Sequence, residues 1–297
     1  MKYTEETAIE TKDHEILREI LILDWKKNFD ICWAAASNPN CPSEILKEVL
    51  IKNYDNQTSC FAAENPNCPI EMLVKILRKE KSDGVFYHAL KNPNCPQEIL
   101  AKLFKKHKHH DIIASNLNCP PEILAEILRK EKNDDISRNA AKNPNCPPKI
   151  LTEILKRGND DWVSWYAASN RNCPSEILVE ILRRGEDDEV SYYAAKNPNC
   201  PPEILVDILK RGNNNDVSCN AAENPNCPSE ILAEILKDGA EDCVSLSAST
   251  NPNCPIEEKI KWMQVTGRIG KEDPKKHIIE YEKIKEDDFQ DLKDLLN

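Results

Sequence analysis

Glycine, methionine and aromatic residues are scarce in this sequence of 297 residues, which has 7 Gly, 3 Met, 5 Trp, 7 Tyr and 5 Phe. It offers no glycine-rich loop to cradle a phosphate, no nucleophile beside a base and no paired carboxylates that stand out from their surroundings. We therefore do not expect an enzyme.

Long apolar runs are also missing, since no stretch approaches the roughly 20 residues that span a bilayer. The first residues, 1–13, are polar and include Glu5, Glu6 and Glu10, unlike a signal peptide. From these two features we expect a cytoplasmic protein with no membrane partner.

Positive charge is in deficit, because 40 Lys and Arg face 51 Asp and Glu for a formal net charge of −11. Phosphate backbones are bound mainly through Lys and Arg. The balance argues against a general nucleic-acid surface and leaves room for a local basic patch.

Cysteine and proline are abundant, with 13 Cys and 20 Pro. Nine cysteines lie in near-copies of the motif Asn-Pro-Asn-Cys-Pro, from Asn38–Pro42 to Asn251–Pro255. The motif recurs every 27 residues, with one interval of 24: Cys41, Cys68, Cys95, Cys119, Cys146, Cys173, Cys200, Cys227 and Cys254. A fixed period in this range is typical of a solenoid, in which each repeat packs only on its neighbours.

The spacing of the motif cysteines argues against disulfides and zinc. Packed helices lie about 8–10 Å apart, whereas a disulfide needs Cα atoms about 4.4–6.8 Å apart. The same separation prevents a shared zinc ion. We expect thiols that fill space in a reducing compartment, and a redox or metal-binding thiol ladder is the alternative.

Each repeat predicts two helices. In the repeat that starts at Cys173, Pro174 and Glu176 mark a helix start, and Gly185 marks its end. Four apolar residues between them give one stripe of helical period: Ile177, Leu178, Ile181 and Leu182.

A second, shorter helix is predicted after a column of capping residues, namely Asn56, Asp83, Asp134, Asp161, Asp188, Asn215 and Asp242. A near-constant Ser follows three residues later, and a pair of alanines precedes the motif. The motif asparagines are expected to bond the corner backbone and form a ladder along the stack.

These residues resemble the leucine-rich repeat variant family, whose units carry a corner similar to Asn-Pro-Asn-Thr-Pro-Pro-Glu after a small Ala-Val-Ala stretch. The resemblance covers roughly residues 28–265. It implies an all-α, right-handed solenoid of about nine two-helix repeats, in which α-helices alternate with short α- or 3₁₀-helices, and no established chemistry.

This chain departs from the family pattern in three ways. Cysteine replaces a hydroxyl residue, the period is 27 rather than about 24, and there is no amino-terminal cysteine cluster. A family member carries an iron–sulphur cluster at such a site, so the resemblance implies no cofactor here.

The chain ends and the short repeat depart from the pattern. Residues 1–28 are expected to form an N-terminal capping helix, 29–265 the solenoid, and 266–297 a C-terminal capping helix, with a docking tail as the alternative for the last segment. The short repeat contains His107, His109, His110 and Asp111. Their spacing is poor for a tetrahedral metal site, so a solvated connector is favoured over metal or phosphate binding.

Function is expected in the two columns just before the alanine pair, because they vary from repeat to repeat. Tyr, Trp and Arg are the residues that anchor interfaces. The candidate partner-binding residues are Trp33, Phe61, Tyr87, His88, Arg138, Trp165, Tyr166, Tyr192, Tyr193 and Asn220.

The favoured hypothesis is a scaffold that binds a protein or peptide along this strip. Packing between repeats is the competing explanation for the same residues. Nucleic-acid binding similar to that of HEAT-like proteins is the functional alternative, and it requires a basic concave face.

Overall fold

A computed structural model describes residues 3–23, 29–52, 56–81, 83–130 and 132–269. Every regular element in these ranges is a helix, and each packs mainly on helices near it in the sequence, as expected for a helical repeat solenoid. The chain forms two compact units, Met1–Ile150 and Leu151–Asn297. The handedness predicted from the resemblance stays a prediction.

The helix that follows each motif is called an A helix. Its apolar stripe is buried, as the sequence predicts: Ile177, Leu178, Ile181 and Leu182 are all at most 2% exposed. The A helices are α4 Ser43–Lys52, α6 Ile70–Arg78, α8 Gln97–Lys105, α10 Pro121–Arg129, α12 Pro148–Leu155, α14 Ser175–Arg183, α16 Pro202–Lys210, α18 Ser229–Lys237 and α20 Ile256–Val265.

The A helices begin one residue later than predicted. The motif proline is the N-cap rather than the first helical residue, as Pro174 is before α14. Proline cannot donate a hydrogen bond, and at the N-cap its carbonyl still accepts from Leu178 N–H. The predicted stop at Gly185 is confirmed, since this residue has φ +74°.

The shorter helix before each motif is called a B helix, and the described B helices are all α-helical. They are α3 Phe29–Ser37, α5 Asn56–Glu64, α7 Gly84–Lys91, α9 His110–Ser115, α11 Asp135–Lys142, α13 Trp162–Ser169, α15 Glu189–Lys196, α17 Asp216–Glu223 and α19 Cys243–Thr250.

The capping column is confirmed wherever its side chains are described. Asp188 Oδ1 accepts from Ser191 N–H at 2.7 Å, and five other residues make the same bond: Asp83, Asp134, Asp161, Asn215 and Asp242. The side chain of Asn56 lies outside the described residues. The capped serine is buried in each helix that carries it, so the cap also fixes which face of the B helix turns inward.

The asparagine ladder is confirmed within each unit. The first motif asparagine donates from Nδ2 to two main-chain carbonyls of the preceding repeat, and its Oδ1 accepts from the backbone two residues on, as with Asn224. The same pair of inter-repeat bonds is made by Asn38, Asn65, Asn92, Asn116, Asn143, Asn197, Asn224 and Asn251.

The ladder begins earlier than the motif does. Asn38 donates to the carbonyls of Ala8 and Thr11, and Thr11 Oγ1 accepts from Asp13 N–H, so Thr11 stands where the next repeats have asparagine. Thr11 is 27 residues before Asn38 and follows the unpredicted helix α1, Glu5–Glu10. Instead of the single capping helix predicted over 1–28, the described residues form α1, α2, His14–Arg18, and a π-helical turn, Glu19–Leu23.

The nine motif cysteines are buried thiols beside the ladder. Burial raises the pKa to about 12 for Cys41, Cys68, Cys95, Cys119, Cys146, Cys200 and Cys227. A thiol with so high a pKa carries almost no thiolate at neutral pH, which opposes the reactive thiol ladder and fits a space-filling role.

One disulfide lies outside the motif and was not foreseen. It joins Cys219 in α17 to Cys243, the first residue of α19, with Cα atoms 5.9 Å apart. The fourth residue of one B helix therefore lies beside the first residue of the next B helix.

The short repeat keeps its fold by shortening its B helix to the six residues of α9. His109 takes the N-cap position with φ 55° and makes no side-chain cap, in place of the usual aspartate. Of the C-terminal capping helix predicted at 266–297, residues 270–297 lie outside the described residues.

Candidate partner-binding surface

In α13 and α15 the B helix places four positions outward, because the capped serine, the residue before it and the alanine pair all turn inward. The outward positions are the first, fourth, fifth and eighth residues of an eight-residue helix, which share one face. In α13 they are Trp162, Trp165, Tyr166 and Ser169. The two variable columns of the sequence are the fourth and fifth positions.

The C-terminal unit brings four of the predicted residues together. Trp165 in α13 meets Tyr193 in α15, Tyr166 and Tyr192 lie next to them in the same two helices, and all four are half-buried. The rings of Trp165 and Tyr193 lie 6.5 Å apart between centroids, and those of Tyr192 and Tyr193 lie 5.0 Å apart.

A fifth aromatic residue belongs to the same group and was missed. Trp162 is 46% exposed, and its ring centroid lies 4.7 Å from that of Trp165 and 6.4 Å from that of Tyr166. Its spacing of three and four residues from those two is the helical signal that could have identified it. We call Trp162, Trp165, Tyr166, Tyr192 and Tyr193 the aromatic cluster.

Carboxylates border the aromatic cluster. The indole N–H of Trp165 donates to Asp160 Oδ1, and Glu189 lies one helical turn before Tyr193. Burial and then the charge of Glu189 raise the pKa of the Tyr193 phenol. The phenol therefore stays neutral in physiological buffer, while the carboxylates supply negative charge.

Asn220 does not join this surface. It is 6% exposed, and its Nδ2 donates to the carbonyl of Asp216 in its own helix. The position that carries tyrosine in α13 and α15 is thus an internal polar contact in α17.

The N-terminal unit holds the other five candidates in smaller groups. The ring of Phe61 meets that of His88 edge-on at 5.9 Å, and His88 forms an ion pair with Glu64. Tyr87 lies 5.2 Å from His109 between ring centroids.

The remaining two candidates are each held locally. Arg138 is paired with Asp135 at 2.9 Å, and Trp33 is half-buried with its indole nitrogen enclosed. Phe61 also packs against the core of the first repeats, so part of this strip does serve packing.

Two cavities of the N-terminal unit occupy equivalent places in different repeats. One, of about 270 Å³, is lined by Lys79, Lys81 and Asp83, and the other, of about 230 Å³, by Lys130, Lys132 and Asp134. The two sets are 51 residues apart in the sequence, one repeat of each length. Paired lysines over aliphatic walls can contact an anion.

His107 and His110 line the second cavity, so part of the histidine-rich segment faces it. Among the described residues, no group of three His, Cys, Asp or Glu side chains converges as a metal site. No helix in the described ranges is long and apolar enough to cross a membrane.

Comparison with known proteins finds no similar family model, curated protein or solved structure. The resemblance to the leucine-rich repeat variant family therefore stays a prediction. The candidate surface has to be judged by its own geometry and charge.

Proposed function

We propose that this protein is a non-catalytic scaffold that binds a protein or peptide partner through the outward face of its B helices. The observation that carries the proposal is the aromatic cluster, in which each of five rings from α13 and α15 lies within 6.5 Å of another between centroids and all five are partly exposed. Trp and Tyr are enriched among residues that dominate binding energy, because they bury a large area with few rotatable bonds.

Packing alone does not account for the cluster. The alanine pairs already provide the packing between these B helices, and all four residues are fully buried: Ala167, Ala168, Ala194 and Ala195. The fourth and fifth positions carry Cys219 and Asn220 in α17 and Leu246 and Ser247 in α19, so these helices keep the same fold without an aromatic ring there. The rings are therefore additional to what the repeat needs.

Selection from a displayed library of random peptides on the immobilised full chain tests this proposal. Selected peptides should lose affinity by at least about tenfold when Trp165 and Tyr192 are both replaced by alanine. The matched control is Leu117→Ala, which removes an apolar side chain that is 59% exposed in the N-terminal unit. Circular dichroism checks that each variant keeps its helices. Equal binding to the double variant and to the wild type contradicts the proposal.

The two lysine-lined cavities favour a second candidate, binding of a nucleic-acid phosphate backbone. Residues 75–135 contain 12 Lys and Arg against 9 Asp and Glu, so this stretch is basic within an acidic chain. A labelled single-stranded oligonucleotide should then bind with affinity that falls steeply with salt, and less tightly to the variant Lys79→Ala, Lys130→Ala. Absence of salt-sensitive binding removes this candidate.

A further inference from the structure

We infer that the aromatic cluster binds the cationic side chain of an arginine or lysine in a basic peptide segment. The inference rests on the proposed function, because it names the chemistry of the partner at the same surface. It depends on the orientation of the rings, on the carboxylates beside them and on the charge of the unit around them.

The rings are not all edge-on to one another. Trp162 and Trp165 are tilted by 50° at 4.7 Å, and Trp165 and Tyr193 are close to parallel, at 29°. The face of an aromatic ring carries negative charge density and attracts a cation within about 6 Å of its centroid, with tryptophan the strongest. Two tryptophans and three tyrosines therefore form a surface suited to a cation.

One cation of the protein already lies on this surface. Lys196 Nζ is 5.8 Å from the ring centroid of Tyr192, from four residues further along α15. The distance lies within the range of a favourable cation–π contact. A guanidinium or ammonium group from a partner would meet the same kind of ring on Trp162 and Trp165.

The carboxylates give the cation a second type of contact. Asp160 accepts one hydrogen bond from the Trp165 indole and retains acceptor sites for a donor from the partner. Glu189 is the first residue of α15. The first residue of α19, Cys243, contacts Cys219, which has the same position in α17 as Trp165 has in α13. This register places Glu189 beside α13, so acid flanks Trp165 from its own loop and from the next helix.

The charge of the C-terminal unit favours the same partner. Residues 151–250 contain 18 Asp and Glu against 9 Lys and Arg, and the loop before α15 alone contributes Glu186, Asp187 and Asp188. A surface of one sign attracts an oppositely charged partner and accelerates its association. A basic segment is therefore drawn to this unit before it contacts the rings.

Two peptides that differ only in charge test the inference. The first alternates glycine, serine and arginine, and the second has citrulline, which is neutral and of similar shape, at each arginine. The arginine peptide should titrate the tryptophan fluorescence of the full chain to saturation, and the citrulline peptide should bind at least about tenfold more weakly.

Three variants separate the rings from the carboxylates. Trp162→Leu and Trp165→Leu keep apolar bulk but remove the ring face, and Asp160→Asn removes a charge at constant shape. Each should weaken the arginine peptide by about three- to tenfold, and Leu117→Ala should not. Binding is followed for the variants by isothermal calorimetry, because the tryptophan signal itself changes.

The outcomes distinguish the inference from the proposed function. Equal affinity of the arginine and citrulline peptides overturns the inference and leaves peptide binding in place. Affinity that depends on Asp160 but not on either tryptophan also overturns it, because the attraction is then that of a carboxylate alone. Failure of both peptides, while library-selected peptides bind, overturns only the inference. Failure of the library-selected peptides overturns the proposed function.

Discussion

The side-chain amide of Asn92 donates to the main-chain carbonyl of Asn65, one repeat earlier, at 2.8 Å. The same Nδ2 donates to the carbonyl of Ala63 at 2.7 Å, and Asn92 Oδ1 accepts from Asn94 N–H at 2.8 Å. Asn92 is fully buried. One side chain thus joins two repeats and closes its own corner. Asparagine can do both, because its side chain has an N–H donor and a carbonyl acceptor.

Replacing Asn92 with alanine is expected to lower the free energy of unfolding by about 2–5 kcal/mol. The substitution removes the side-chain partner of the Ala63 carbonyl and of the Asn94 N–H, whereas the Asn65 carbonyl still accepts from Cys68 N–H. Each polar group left unsatisfied costs about 1–3 kcal/mol. Asn94→Ala is the control, because Asn94 is exposed and its bond to the carbonyl of Pro66 can be replaced by water. Urea unfolding of both variants measures the difference, and similar losses would contradict the ladder's importance.

Removing one helix cap should have a smaller effect. Asp188 caps α15 through a 2.7 Å bond from Ser191 N–H, so Asp188→Ala is expected to cost about 1 kcal/mol. Asp187→Ala removes the same charge one residue earlier without removing the cap. Thermal unfolding should show a lower Tm for the first variant only. A shift shared by both variants would mean that general charge, not capping, is responsible.

The motif thiols should resist alkylation in the native protein. Thiolate is the reactive form, and burial raises the pKa of Cys146 and Cys200 to about 12. At pH 8, iodoacetamide is expected to modify these cysteines only after denaturant is added, as measured by mass spectrometry of peptides. Rapid modification of the folded protein would support the thiol-ladder alternative.

The same pKa values predict a loss of stability in alkali. An unfolded cysteine has a pKa of about 8.5, so above that pH the unfolded state loses its thiol proton while the folded state keeps it. The stabilisation is complete below about pH 8.5 and is lost as the pH rises toward about 12. Tm should therefore fall over this range, and the fall should be shallower in the variant Cys146→Ala, Cys200→Ala.

The disulfide between Cys219 and Cys243 is expected to stabilise the last repeats. It closes a loop across 24 residues, and loops of this size correspond to roughly 2–4 kcal/mol. Cys219→Ala, Cys243→Ala and the double variant should lose the same amount, because each removes one bond. Additive losses in the double variant would show that the two side chains act separately. Peptide mapping without reductant identifies the linked pair.

Local signals were sufficient for most of the fold. The 27-residue period, the apolar stripe of Ile177 and Leu178 and the cap at Asp188 each depend on residues a few positions apart. Their interactions lie within one helix or one corner, so spacing alone predicts them. The start of the ladder at Thr11 was missed because no Asn-Pro-Asn-Cys-Pro motif surrounds this residue. Its carbonyl and its hydroxyl nevertheless accept the same hydrogen bonds as an asparagine of the ladder.

The candidate surface was only partly predictable. The variable columns pointed to Trp165, Tyr166, Tyr192 and Tyr193, which do meet. Trp162 and Asp160 lie outside those columns and join them only because the helix turn and the loop bring them to the same face. Asn220 shares a column with Tyr193 but is buried, since a small polar side chain can bond to its own helix where a tyrosine ring cannot.

By itself, the sequence determines a stack of helix pairs joined at asparagine corners, because residues that start a helix, end it and form its buried face recur at fixed spacing. Tertiary structure alone decides which side chains of adjacent B helices come together. The pairing of Cys219 with Cys243 and the contact of Trp165 with Tyr193 both depend on how one B helix lies on the next. That register is fixed by side-chain packing and by bonds between repeats, so it cannot be read from the spacing within a single repeat.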